Sequence, residues 1–207
     1  MKAEIEVCVD TLEAALQAQA NGATRIELCG RLDLDGLTPD EDFIQQALQE
    51  LAIPIHVMIR PRGGDFVYTP EELAQMEQEI AYCKAQGVPG IVLGALTPSG
   101  ELDLENILKL AALAKPEMLV VVHKCIDYTP EPAAAFEQLL AHHDLIDYVL
   151  TSGGKPTARE GLPVLQQMVA MSQDRIKVMA AGKITKENWE ELAAEIGAPA
   201  YHGRLIV

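Results

Sequence analysis

Short runs of β-branched and apolar residues alternate with longer amphipathic stretches along the whole chain. The short runs predict strands near Ala3–Val9, Thr24–Leu28, Ile53–Arg60, Gly90–Leu93, Met118–His123, Tyr148–Leu150, Ile176–Ala180 and Pro199–His202. The stretches between them predict helices near 10–21, 40–51, 70–86, 103–115, 131–143, 158–171 and 185–196. Thr38, Thr69 and Thr185 each precede an acidic first turn and are expected to cap helices. Gly22, Gly87 and Gly197 follow helical stretches, where a left-handed cap is expected. Strands separated by helices in units of about 20–35 residues read as βαβ repeats around a parallel sheet. Eight such units close a TIM-like (β/α)8 barrel. An open doubly wound sheet fits less well, because the first strand is not followed by a glycine-rich dinucleotide loop. The chain reaches Val207 just after the eighth strand, so the expected barrel lacks an eighth helix, with one flank bare unless a neighbouring chain or an earlier element covers it. With no linker or break in composition, residues 1–207 are expected to form one domain.

Strand side chains alternate between faces. That parity sends Glu6, Cys8, Glu27, Cys29, His56, Arg60, His123 and His202 towards the barrel interior. Ile5, Val7, Ile26, Leu28, Ile55, Val57, Ile59 and Val122 face the helices. Ionisable groups inside a barrel must pair with one another or with a ligand. For Glu6 and His56, deep in their strands, internal pairing and a ligand role stand level. Barrel chemistry gathers where strands end, which singles out Glu27 as a general base and His123 as a general acid.

The segment Ile59-Arg60-Pro61-Arg62-Gly63-Gly64-Asp65 places two arginine forks on a rigid turn. Arg60 and Arg62, with Asp65 beside them, are expected to bind an anion, unless Asp65 or Glu27 engages the arginines first. Thr151-Ser152-Gly153 after the sixth strand and Gly182 after the seventh resemble oxyanion cradles, in which small residues open backbone N–H groups to a ligand. Cys8 and Cys29 end neighbouring strands, and two adjacent thiolates suit a soft cation such as Cu(I). The alternative is that they are inert buried thiols.

Composition narrows the partners. The chain has 31 acidic and 16 basic residues and a formal charge of −15. That balance argues against nucleic acid and against anionic membranes. No apolar run is long enough to span a bilayer and the N-terminus does not read as a signal peptide, so a cytoplasmic location is expected. The four cysteines form no CxxC pair, which disfavours a disulfide scaffold or a zinc ribbon.

These segments resemble the CutC family, named for copper homeostasis. The resemblance is carried by Glu6-Val7-Cys8, Arg25-Ile26-Glu27-Leu28-Cys29, Gly36-Leu37-Thr38-Pro39, Ile59 to Phe66, His123-Lys124 with Asp127, and Leu150-Thr151-Ser152-Gly153. The chain departs from the family at Lys124, where arginine is frequent, and in the loop Ala180-Ala181-Gly182-Lys183. The resemblance implies a cytoplasmic TIM-like barrel, often dimeric, linked to copper through Cys8 and Cys29. Three functions follow as expectations: a Cu(I)-associated protein, an acid–base enzyme on a small phosphorylated or carboxylated substrate, and a homo-oligomeric partner-binding barrel.

Overall fold

The computed structural model describes residues 3–207. Eight strands, β1 (Glu4–Val9), β2 (Arg25–Leu28), β3 (Ile55–Met58), β4 (Gly90–Leu93), β5 (Leu119–Val122), β6 (Tyr148–Thr151), β7 (Lys177–Ala180) and β8 (Ala200–His202), form a closed barrel in chain order. Neighbours are parallel throughout, and β1 closes on β8 through Glu4↔Ala200 and Glu6↔His202. Seven helices surround it: α1 (Leu12–Ala20), α2 (Glu41–Glu50), α3 (Pro70–Ala85), α4 (Leu104–Ala114), α5 (Pro132–Leu140), α6 (Leu162–Ser172) and α7 (Trp189–Ile196). Among the described residues no helix follows β8, and Leu205 bridges Thr185 instead. The expected TIM-like barrel without an eighth helix is the fold observed.

Helix boundaries follow local chemistry. Thr69 caps α3 in a reciprocal box with Glu72. α2 is capped by Asp40, not Thr38, because Thr38 is engaged elsewhere: its hydroxyl donates to Glu79 (2.8 Å) and accepts from the Arg60 N–H (2.8 Å). α7 starts at Trp189 behind Asn188, whose Oδ1 accepts from the Thr185 N–H, so Thr185 is not the cap. Gly22, Gly87 and Gly197 all have positive φ, as expected of helix exits.

The alternation holds. Ile5, Val7, Ile26, Leu28, Ile55, Val57, Ile59 and Val122 pack beneath the helices in the main core. Inside the barrel a smaller cluster includes Cys8, Cys29, Met58, Val92, Val121, Tyr148, Leu150 and Met179. Below it lies a polar plug. Glu6 is fully buried and receives Arg25 Nε at 2.5 Å, with His202 Nδ1 at 2.8 Å and His56 Nδ1 at 3.4 Å. Arg25 also reaches Glu4 (2.7 Å), which accepts from the Tyr148 hydroxyl (2.8 Å) and from Lys177 (2.7 Å). Burial pushes the Glu6 carboxyl up, but Arg25 and the two imidazoles override it and hold it well below the usual carboxylate range. Gly90, opposite His56, leaves the space its imidazole fills, since a Cβ there would strike the ring.

Candidate functional site

Above the plug, at the strand ends, a cavity of about 290 Å³ opens to solvent. Its floor and walls include Cys8, Glu27, Cys29, Arg60, His123 and His202, with Lys124 and Arg204 among the rim groups. The parity argument therefore brings Glu27, Arg60, His123, Cys8 and Cys29 to one place. They arrive from four strand ends, Cys8 from β1, Glu27 and Cys29 from β2, Arg60 from β3 and His123 from β5, where the alternation points inward and the closed barrel makes the tips converge.

Three residues that line this cavity each carry a buried polar atom without a hydrogen-bond partner: Glu27 Oε1, Arg60 Nε and His123 Nε2. Buried polar atoms are normally satisfied by protein or by ordered water. Arg60 donates to the carbonyls of Leu34 (3.1 Å), Asp35 (3.3 Å), Gly36 (3.1 Å) and Gly64 (2.9 Å). Its outer nitrogens staple two loops together, and no carboxylate pairs with it among the described residues. The Phe66 ring lies 4.7 Å beneath the guanidinium and 4.9 Å from the His123 ring.

Glu27 is 3% exposed. Burial raises its carboxyl from 4.5 to about 7, with Glu6 adding to the rise, while His202, the Cys29 thiol and Arg25 pull the other way. The Cys29 thiol donates to Glu27 Oε2 at 3.5 Å. Burial first, then Glu27, pushes that thiol well above its usual range, so Cys29 stands as a protonated donor and not a ready thiolate. Burial disfavours charge on His202, yet its acidic neighbours Cys8, Glu27 and Glu6 hold it protonated. One ligand atom each from Cys8, Glu27 and His202 lie within 4.8 Å of one another. The sequence singles out the cysteine pair; the geometry gathers Cys8 with a carboxylate and an imidazole.

His123 differs from the imidazolium acid expected. Its Nδ1 accepts the Cys125 N–H at 3.1 Å, leaving the ring proton on Nε2. Burial, reinforced by Arg60, lowers it to about 3. The ring is a neutral N–H donor facing the cavity, able to polarise a carbonyl oxygen without carrying charge itself. Its native value lies below the unfolded one. The associated stability is therefore complete above about pH 6.5 and is lost as pH falls towards 3, at up to about 1.4 kcal/mol per unit. His123→Gln is expected to flatten the stability profile between about pH 6 and pH 4 by close to one proton. Urea titrations across that range measure the slope, and an unchanged slope would mean that the native ring is charged.

Other expected anion binders lie outside the cavity, for reasons visible in their bonds. Arg62 turns away and is engaged by Glu72 (2.6 Å), by Asp65 (2.9 Å) and by the carbonyls of Gly63, Asp65 and Val67. Asp65 is thereby the partner of Arg62 and of the Val67 N–H, not a ligand group of the pocket. Thr151 and Ser152 form an oxyanion cradle with Gly154 in place of Gly153, whose N–H turns to the Thr151 hydroxyl, and the carboxylate in the cradle is the protein's own Asp127. Gly182 packs against Ser152 at positive φ, where a Cβ would approach Ser152 Cβ to 2.7 Å, so it serves close packing of the two loops. His202, Lys124 and Arg204 line the cavity without being assigned to it from the sequence. His202 carried a signal in its interior parity, and Lys124 one in its place directly after His123.

The CutC family model matches residues 3–207. The chain is 42% identical over 198 residues to the copper homeostasis protein cutC homolog of Mus musculus, covering 96% of this chain and 72% of the mouse protein. It is 41% identical to the human homolog of the same name, over 96% of this chain and 71% of the human one. The structure of the CutC protein from Streptococcus agalactiae superposes with a TM-score of 0.93 at 30% identity, covering 100% of both chains. Phosphoribosylanthranilate isomerase from Thermotoga maritima shares the barrel alone, with a TM-score of 0.61 at 13% identity over 98% of this chain and 87% of that one.

Proposed function

The chain belongs to the CutC family, and from that premise we propose that its rim cavity is the site of an acid–base enzyme acting on a small anionic substrate. The observation that carries this reading is that Glu27, Arg60 and His123 line one opening and each holds a buried polar atom without a partner, Oε1, Nε and Nε2 respectively. The two nitrogens donate and the carboxylate oxygen accepts, which is the complement of a carbonyl oxygen next to a removable proton. Arg60, Lys124 and Arg204 supply positive charge around the opening of a strongly acidic protein. In this reading Glu27 takes or returns the proton, and Arg60 with neutral His123 stabilises the oxyanion that forms. The anionic group of the substrate rests against Lys124 and Arg204.

A panel of inorganic phosphate, small hydroxycarboxylates and sugar phosphates, followed by thermal shift and then by proton exchange at the substrate carbon, tests this. Lys124→Ala and Arg204→Ala are each expected to weaken binding of the best ligand about tenfold. A folded wild-type protein that neither binds nor turns over any member would defeat the proposal.

A second reading, Cu(I) binding, is supported by the proximity of Cys8, Glu27 and His202 and by the names of the relatives. A thiolate and an imidazole suit Cu(I), whereas the Glu27 carboxylate is a hard donor better suited to other cations. Cys8 and His202, each giving up its proton on binding, would hold the ion, with Cys29 close by. Competitive Cu(I) titration of Cys8→Ser decides it, since undiminished affinity would remove Cys8 as a ligand. All four cysteines are unpaired thiols, which supports a reducing compartment such as the cytoplasm. None of the described helices is long and apolar enough to cross a membrane. Homodimer formation, also part of this reading, would use the flank beside β8, where Leu205 is exposed.

A further inference from the structure

The filled cradle at the end of β6 has a consequence for the rim. The Asp127 side chain is only 7% exposed. Its carboxylate accepts from the Thr151 hydroxyl (2.5 Å), the Ser152 N–H (2.9 Å), the Ser152 hydroxyl (2.9 Å) and the Gly154 N–H (2.8 Å). Two backbone amides and two hydroxyls converging on one pair of oxygens are the equipment of an oxyanion-binding loop. Gly153 and Gly154 both adopt positive φ to present that face.

Asp127 belongs to the 3₁₀ turn Lys124–Tyr128, which leaves the barrel directly after His123. Such a turn has little cohesion of its own, and here the Ile126 N–H reaches the His123 carbonyl only at 3.5 Å. Yet the turn carries Lys124 and Tyr128, which form one wall of the rim cavity, and the Tyr128 ring lies 5.6 Å from Phe66.

We infer that Asp127 is a positioning residue: a built-in oxyanion that fastens the turn bearing Lys124 and Tyr128 to the end of β6 and so sets that wall of the cavity. The latch is defined by its bonds alone, and only the purpose given to the wall rests on the proposed anion-binding function. The carboxylate is supplied in cis, so an external one can replace it. Asp127→Ala empties the cradle, and formate has the size and charge to enter.

In the Asp127→Ala protein, sodium formate at about ten times its Kd is expected to raise Tm by about 3 °C or more over sodium chloride of equal ionic strength. No such gain is expected in wild type or in Asp127→Asn, where the cradle is filled. Inorganic phosphate, used as the probe of the rim cavity, is expected to bind Asp127→Ala about tenfold more weakly than wild type, with formate restoring the affinity. Formate that leaves Asp127→Ala unmoved, or that raises wild type equally, overturns the latch. If Asp127→Ala does not fold, hydrogen exchange on Asp127→Asn replaces it. Exchange at least about tenfold faster at Ser152, Gly154 and residues 124–129 supports the latch, and unchanged exchange there overturns it. Wild-type protein that binds no phosphate, while formate still rescues the variant, upholds the latch and counts against the anion-binding function instead.

Discussion

Arg25→Ala is expected to destabilise the protein by about 3–5 kcal/mol, the usual consequence of removing one partner from a buried ionic group. Arg25 is 6% exposed and holds both Glu6 and Glu4. Without it the fully buried Glu6 keeps only His202 and His56 as partners. Glu4 keeps Lys177 and the Tyr148 hydroxyl, on the more open side. The loss should appear as a fall in Tm of roughly 10 °C, given about 2–4 °C per kcal/mol for a chain of this size. Part of the penalty depends on pH. Glu6 has a depressed native value, so its contribution is present above the ordinary carboxylate range and disappears as pH falls through the native value. The gap between wild type and Arg25→Ala should therefore narrow in strong acid. Arg25→Ala melting within about 3 °C of wild type at neutral pH would show that the plug is not ionic.

Glu27→Gln carries the opposite sign. Glu27 titrates near 4.5 when unfolded and is raised to about 7 by burial. Between those values the native protein retains a proton that the unfolded chain has released, so stability declines as pH rises from 4.5 to 7 and stays low above. An amide of the same shape removes that penalty. Glu27→Gln should be more stable than wild type at about pH 8, by an amount on the order of 1–3 kcal/mol, and no more stable at about pH 4. If a substrate is found, the same change should lower its turnover by about 10²–10⁴-fold. Stabilisation joined to loss of activity is the mark of a group kept for chemistry at the expense of the fold. A variant less stable than wild type at alkaline pH would show that Glu27 is an ordinary structural carboxylate.

Much of this was legible in the residues. The barrel followed from the alternation of short apolar runs with amphipathic stretches. The inward parity of Glu6, Glu27, His56 and His123 followed from the two-residue period of the strands. What failed to show was who bonds to whom across long separations. Arg25 shares the parity of Glu27 but opens its strand, a position that reads as surface until closure brings Glu6 beside it. Arg62 looked available because Glu72 becomes its neighbour only when α3 folds back over the turn. The Thr151–Gly153 loop was recognised as an anion cradle, but its occupant lies 24 residues earlier, on a turn that the strand and helix periods do not mark. Periodicity tells which way a side chain points; the identity of its partner is decided by the tertiary fold.

One carboxylate joins the ends of the chain. Glu6 lies on the first strand and His202 on the last, 196 residues apart, and Arg25 and His56 reach the same group from the strands between. Until β8 has been made, this charge is only partly neutralised, and the hydrogen bond from His202 cannot form. Partial barrels are thus left with an unsettled centre, which disfavours premature closure and makes completion of the ring a late, concerted event in the life of the nascent chain.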